Sequence, residues 1–282
     1  MSALLVRDPG ALATVQDLGR RGKAHLGVAR SGAADRGALR LANRLVGNAE
    51  QAAGLEVLGG GAVLEAVSDV VVAITGATCD VTVGARAQGR NVALALEAGD
   101  VLRLGPTVAG VRAYVALRGG VDAPTVLGSR SFDQLGLLGP APLVPEQLLP
   151  AGDLAISSPT WEAAPRPGPA PAPVLAVTPG PRLDWLDGGL PALVAGSWSV
   201  SPDSDRTGVR LEGTPLLRRT GDLASEGTVS GGIQLPPDGL PILLGPDAGV
   251  TGGYPLVAVV VDADLDAIGQ LAPGTLVRFR GR

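Results

Sequence analysis

A chain of 282 residues is long enough for one large or two ordinary domains with sizeable cores. A net charge of −4 argues against a nucleic-acid binder, which needs a basic face, and no run of about 18 uninterrupted apolar residues exists to span a membrane. With one lysine (Lys23), one histidine (His25) and one cysteine (Cys79), the chain cannot assemble the usual zinc site, a P-loop or an internal disulfide.

Leu4-Leu5-Val6 reads as a first short strand, stopped by Asp8-Pro9-Gly10. Charge at Arg7 and Asp8 interrupts the start too early for a secretory signal, and the lone cysteine fits a reducing compartment, so a cytoplasmic protein is expected. Residues 34–46 predict a helix, with Ala38, Leu41, Ala42 and Leu45 on one face and Gly47-Asn48 as its stop. Asn43 and Asn48 bracket the helix end and read as capping residues. Val70 to Thr75 is a continuous β-rich run, expected to be buried on both faces and to end at Gly76. Cys79–Gly84 and Val111–Leu117 alternate, as half-buried strands do.

A turn feeding a short apolar strand recurs at Ala98-Gly99-Asp100, Ala151-Gly152-Asp153 and Ala272-Pro273-Gly274. The clearest boundary is 158–173, where alternating Pro and Ala favour an extended linker that cannot enter a sheet interior. Val174–Thr178 then restarts as a strand. The expected organisation is mainly β with a helical insertion: an N-terminal unit over 1–157, the linker, and a C-terminal unit over 174–282, with strands able to exchange between the halves.

The remaining chemistry must run on Arg, Asp, Glu, Gln, Ser, Thr and backbone amides, because no Gly-x-Ser-x-Gly elbow or Gly-x-Gly-x-x-Gly fingerprint is present. Lys23 does not sit in the Met-flanked setting of a biotin acceptor, so no covalent biotin is expected on this chain. His25 reads either as a general base or as a plain loop histidine, and Cys79 as a small buried residue. Glycines interleaved with polar residues let a backbone approach a ligand and expose amides to anions; they also make ordinary hairpin turns. Glu226 stands a few residues before Gly231-Gly232-Ile233-Gln234, a carboxylate and an amide suited to polarising an amide carbonyl. Arg206 and Arg210 flank Gly208 and either bind a carboxylate or pair with neighbouring aspartates; Arg118 and Arg130 carry the same two readings.

Taken in order, several motifs resemble one family. They are Gln16-Asp17-Leu18-Gly19-Arg20, Ser31-Gly32-Ala33-Ala34-Asp35, Thr75-Gly76-Ala77, Arg118-Gly119-Gly120, Gly128-Ser129-Arg130-Ser131, Asp205 to Leu211, Gly232-Ile233-Gln234 and Thr251-Gly252-Gly253-Tyr254. The family is the biotin-dependent carboxyltransferase-like group, or allophanate hydrolase subunit 2, which includes the C subunit of bacterial 5-oxoprolinase and part of urea carboxylase. The resemblance implies tandem cyclophilin-like β-barrel units and a hydrolase active only within a complex. In that complex this chain contacts the 5-oxoprolinase B subunit directly and works with the A subunit. The complex opens 5-oxoproline to L-glutamate with ATP and Mg, which it holds at a place not assignable to this chain. It implies Glu226, Asp35 and Gln234 as catalytic candidates, and Gln16, Arg20, Ser31, Arg206, Arg210, Thr251 and Tyr254 as substrate-binding candidates. The alternatives are a carboxyltransferase acting on carboxybiotin and a urea-like substrate, and a regulatory protein that binds a kinase-inhibitor-like partner. Two departures stand out: Ala34 replaces the family's methionine, and Gly136 to Pro142 lacks its usual arginine.

Overall fold

The computed structural model describes residues 2–282 and divides them into two compact units. The first takes the chain up to Arg20, then Ser31–Asp133 and Leu137–Pro169; the second takes Arg21–Arg30, Gln134–Gly136 and Ala170–Arg282. Both are mainly β.

The first unit contains β1 (Ala3–Asp8), β2 (Leu12–Gln16), α1 (Arg36–Leu45), β3 (Gly54–Leu58), β4 (Val63–Ala66), β5 (Val70–Val83), β6 (Arg86–Gln88), β7 (Ala93–Leu96), β8 (Val101–Leu117) and β9 (Leu148–Pro150). They form one nine-stranded sheet in the order β2-β3-β8-β4-β1-β9, with β5 on β8 and with β6 and β7 on β5. All its pairings are antiparallel. As expected, the start of β5 is buried on both faces. Val72 and Ile74 join the main core with Leu4, Val57, Leu102 and Val115. Ala73, from the other face, packs with Ala42, Leu45 and Val46 of the helix region. Asp35 caps α1, its carboxylate accepting the Ala38 N–H at 2.7 Å, and this satisfies one of the orphan donors of the first turn.

Three local expectations change. Gly76 does not end a strand: β5 continues through it with register shifts between Gly76 and Val81, because a glycine at φ 85° absorbs a bulge without breaking the ladder. The Ala151–Ile156 repeat forms only isolated bridges, to Val121 and Asn48, and no strand follows it. Asn43 and Asn48 do more than cap. Asn43 donates to the Ala52 carbonyl, and Asn48 donates to Leu117 and to Asn43 while accepting the Gly119 N–H, so the buried pair ties the helix exit to the end of β8. The Pro/Ala-rich stretch 158–173 has no regular element. It is fastened where the Thr160 N–H donates to Leu45 and the Ala164 N–H to Asn91, and where Arg166 pairs with Asp35 at 2.9 Å.

The second unit contains β10 (Val174–Pro179), α2 (Gly189–Ala195), β11 (Trp198–Val200), β12 (Gly208–Glu212), β13 (Glu226–Gly227), β14 (Gly232–Gln234), β15 (Ile242–Leu244), β16 (Thr251–Gly252), β17 (Leu256–Val260), α3 (Leu265–Ile268) and β18 (Leu276–Gly281). Seven strands close a barrel in the order β10-β17-β14-β15-β12-β11-β18, and β13 with β16 makes a separate two-stranded ribbon. The inward side chains, among them Val177, Trp198, Leu211, Ile233, Leu243, Val257 and Phe279, fill the barrel as one apolar core. Closure removes the free edges that so many short strands would otherwise present. Among the described residues no helix is long and apolar enough to cross a membrane.

Candidate functional site

The polar-glycine clusters of the first unit turn inward on their own backbone. Asp17 is the centre of one network: its carboxylate accepts from the Gly19 and Arg130 N–H groups and from the Ser129 and Ser131 hydroxyls, at 2.6–2.7 Å. The motif at 16–20 is thereby joined to the one at 128–131. Gln16 is fully buried and donates to the Phe132 carbonyl at 3.0 Å, which the Ser31 hydroxyl also reaches at 2.9 Å. Arg20, 2% exposed, donates to the Ser131 carbonyl. Gln16 Oε1 and Arg20 Nη1 are buried without a hydrogen-bond partner among the described residues. Gly32, at φ 92°, lies so close to the Gly19 amide that a Cβ there would stand 2.7 Å from its nitrogen. Only glycine fits.

Asp35 has two tasks, the helix cap and the Arg166 ion pair, and its own N–H donates to the Tyr114 hydroxyl at 2.8 Å. That hydroxyl donates in turn to Glu56, which pairs with Arg112 at 3.3 Å. Burial, reinforced by the Glu56 carboxylate, raises the Tyr114 phenol well above its ordinary value, so it stays a neutral donor. Cys79 is buried, and desolvation raises its thiol too, which leaves it a poor nucleophile.

In the second unit some polar side chains are left over. Arg206 and Asp247, 4% and 0% exposed, form a bidentate pair at 2.7 and 3.0 Å. Neither reading of Arg206 anticipated this partner, which lies 41 residues away and not among the neighbouring aspartates. Arg210, by contrast, projects from β12 into solvent, and its guanidinium has no partner among the described residues. It lines a cavity of about 290 Å³ with Gln234, Tyr254, Asp203, Asp205 and Leu135. The Gln234 amide nitrogen donates to the Tyr254 carbonyl at 3.3 Å, and its Oε1 accepts nothing from the described residues. A Cβ at Gly252 would stand 2.6 Å from Gln234 Nε2, so a larger residue there would displace the amide.

Glu226 lies opposite Gly252, and Thr251 opposite Gly227, on the β13–β16 ribbon. Arg182 clamps both Glu226 oxygens. Those hydrogen bonds hold the carboxyl below its ordinary value, so at neutral pH it is a carboxylate and not a proton donor. Arg182 follows a plain Pro179-Gly180-Pro181 turn, and nothing local in the sequence marks it as a partner for a residue 44 positions later.

The second unit therefore brings Arg210, Gln234 and Tyr254 to one cavity and sets Glu226 and Thr251 on the ribbon, while Gln16, Arg20, Ser31 and Asp35 belong to the first unit. A larger cavity of about 490 Å³ in the first unit contains none of the ten candidates. Its one arginine, Arg118, is committed to the Val46 and Ser157 carbonyls at 2.6 and 2.7 Å. Arg130 is likewise engaged, by Ala123 and Asp122. His25 is exposed in a short turn. Among the described residues no group of three or more His, Cys, Asp or Glu side chains could hold a metal ion.

Comparison with known proteins agrees over nearly the whole chain. The profile of the carboxyltransferase domain, subdomain A and B, matches residues 26–281. The chain is 36% identical over 278 residues to the 5-oxoprolinase C subunit of Escherichia coli (strain K12), covering 96% of this chain and 88% of that protein. The solved structure of TTHA0988 superposes with a TM-score of 0.91 at 37% identity, covering 99% of this chain and 56% of that one. The K. lactis urea amidolyase gives 0.90 at 30% identity over 98% of this chain, which spans only 18% of that much longer protein.

Proposed function

The chain belongs to the carboxyltransferase domain family, subdomain A and B, and from that membership we propose that it is the C subunit of an ATP-dependent 5-oxoprolinase. In this reading it helps activate the lactam carbonyl of 5-oxoproline for hydrolysis to L-glutamate, as part of a cytoplasmic complex with the B and A subunits. The observation that carries the reading is the unpartnered Arg210 at a cavity small enough for one ring acid, next to a glutamine whose carbonyl oxygen is unused. Arg210 receives the substrate carboxylate. Gln234 Oε1 accepts the lactam N–H and so orients the ring. Asp203, in the same lining, receives the amine released when the C–N bond opens. Glu226, held ionised by Arg182, serves as a carboxylate acceptor near the ribbon.

MgATP supplies the phosphoryl group that activates the carbonyl. The complex as a whole holds that nucleotide, and this chain carries no P-loop lysine. The test is glutamate formation from 5-oxoproline and ATP by the complex, with and without this chain. Turnover that disappears on omission supports the reading, and unchanged turnover overturns it. The likeness to urea amidolyase favours a second reading, transfer of a carboxyl group from carboxybiotin to a urea-like amide. That reading requires activity to depend on biotin and on a biotin-bearing partner.

A further inference from the structure

One wall of the cavity comes from far away in the chain. Residues Gln134–Gly136 belong to the second unit although the sequence on either side of them builds the first. Gln134 contributes two hydrogen bonds that hold this three-residue tip. The Gln134 backbone N–H donates to Asp247 Oδ2 at 3.0 Å, and its side-chain amide donates to Asp205 Oδ2 at 3.2 Å. Neither acceptor is free to drift. Asp247 is fully buried and held by Arg206, while Asp205 Oδ1 is held by the Thr207 and Gly208 N–H groups at 2.7 and 3.2 Å.

The tip places Leu135 in the cavity lining with Ile242 and Leu244, so the apolar wall is part barrel strand and part imported loop. Leu135 is also 56% exposed, and it stands against Gly249, where a Cβ would lie 3.7 Å from its Cδ2. A leucine left that exposed gains little for the core.

We infer that Leu135 is a specificity-determining residue for this site, packing against the methylene edge of the substrate ring, and that Gln134 is the positioning residue that holds it there. The inference rests on the reading of the cavity as a ring-acid site. The polar groups fix the carboxylate and the amide and do not measure ring size; the leucine does. An apolar pocket discriminates one methylene by about 10- to 200-fold, and an exposed loop wall belongs at the lower end of that range.

The experiment is steady-state turnover by the assembled complex of 5-oxoproline and of its six-membered homologue, 6-oxopiperidine-2-carboxylate. The readout is the ratio of the two kcat/KM values. Leu135→Ala should shrink the wild-type preference for the five-membered ring about tenfold, mostly through KM, and Leu135→Phe should widen it. Gln134→Ala should move the ratio in the same direction as Leu135→Ala, by less. Leu135→Val keeps the test open if the alanine variant fails to assemble. Ratios that stay at the wild-type value in variants that still turn over 5-oxoproline overturn the inference and leave the site reading intact. A wild-type complex that opens neither ring overturns the site reading, and the inference with it.

Discussion

Two regions of this molecule carry the same kind of sequence and put it to different use. Gln16 to Asp35 in the first unit and Arg206 to Tyr254 in the second are both runs of polar residues broken by glycine. In the first, Gln16, Ser31 and Asp35 each bind backbone groups of their own unit, and Arg20 is buried against a carbonyl. In the second, the buried Arg206–Asp247 pair is structural, and Arg210, four residues further on, has a guanidinium without a partner among the described residues at a cavity. A polar-glycine motif therefore does not separate scaffold from site. The decision lies in whether the fold delivers a partner to each side chain.

The contrast breaks hardest at Asp247. Asp247→Ala should cost about 3–5 kcal/mol, because it removes the carboxylate that pairs with the buried Arg206 guanidinium. Urea unfolding of the full chain would measure it. The second unit's transition should move to lower denaturant, and Gln134 should lose its backbone hydrogen bond to Asp247. A change under about 1 kcal/mol would mean that the pair is open to water and that the second unit does not rest on it.

A matched arginine pair sharpens the comparison. Arg20→Ala removes a donor from the buried Ser131 carbonyl and should destabilise by about 1–3 kcal/mol. Arg210→Ala should change stability by less than about 0.5 kcal/mol, as exposed substitutions generally do. In the assembled complex it should raise KM for 5-oxoproline by about tenfold or more, the scale of a lost charge-assisted contact. The two variants should thus exchange effects between a denaturant curve and a kinetic curve. If Arg210→Ala instead weakens folding while KM holds, the cavity loses its carboxylate receptor, and the first unit's Gln16 Oε1 and Arg20 Nη1, both lacking partners, become the better site.

Much of the fold was legible because periodicity is local. The helix over 34–46 and the strands at 4–6, 70–75, 111–117 and 174–178 each show in their own residues, and the structure places an element at every one. The junctions were not legible. Whether Gly76 ends a strand or bulges it depends on β8 running alongside, and whether Ala151-Gly152-Asp153 feeds a strand depends on a neighbour that is not there. The site divides the same way. Arg210, Gln234 and Tyr254 carry local signals, but Arg182, Asp247 and Leu135 owe their roles to contacts made far along the chain: Arg182 with a residue 44 positions later, Asp247 with Arg206 41 positions earlier and with Gln134 113 positions earlier. No window of sequence contains such a pair.

The smallest expected effect is also the most specific. Glu226 is the one carboxyl on the ribbon, and Arg182 hydrogen-bonds both of its oxygens. A carboxyl whose folded value is depressed stabilises the fold above its ordinary value of 4.5, and that contribution disappears as pH falls through the lowered folded value. Wild-type and Glu226→Gln chains should therefore differ slightly in stability at neutral pH and converge in acid. Both side chains are about a third exposed, at 38% and 32%, so solvent keeps the difference small. Carbon-detected NMR titration of Glu226 reads the cause directly. Its midpoint should lie below 4.5 in the wild-type chain and return toward 4.5 in Arg182→Ala. A wild-type midpoint at or above 4.5 would make Glu226 available as a proton donor closer to neutrality and reverse its assigned role. With the midpoint depressed, Glu226 is already ionised throughout the range from about pH 5 to 8, so it can accept a proton there but has none to give.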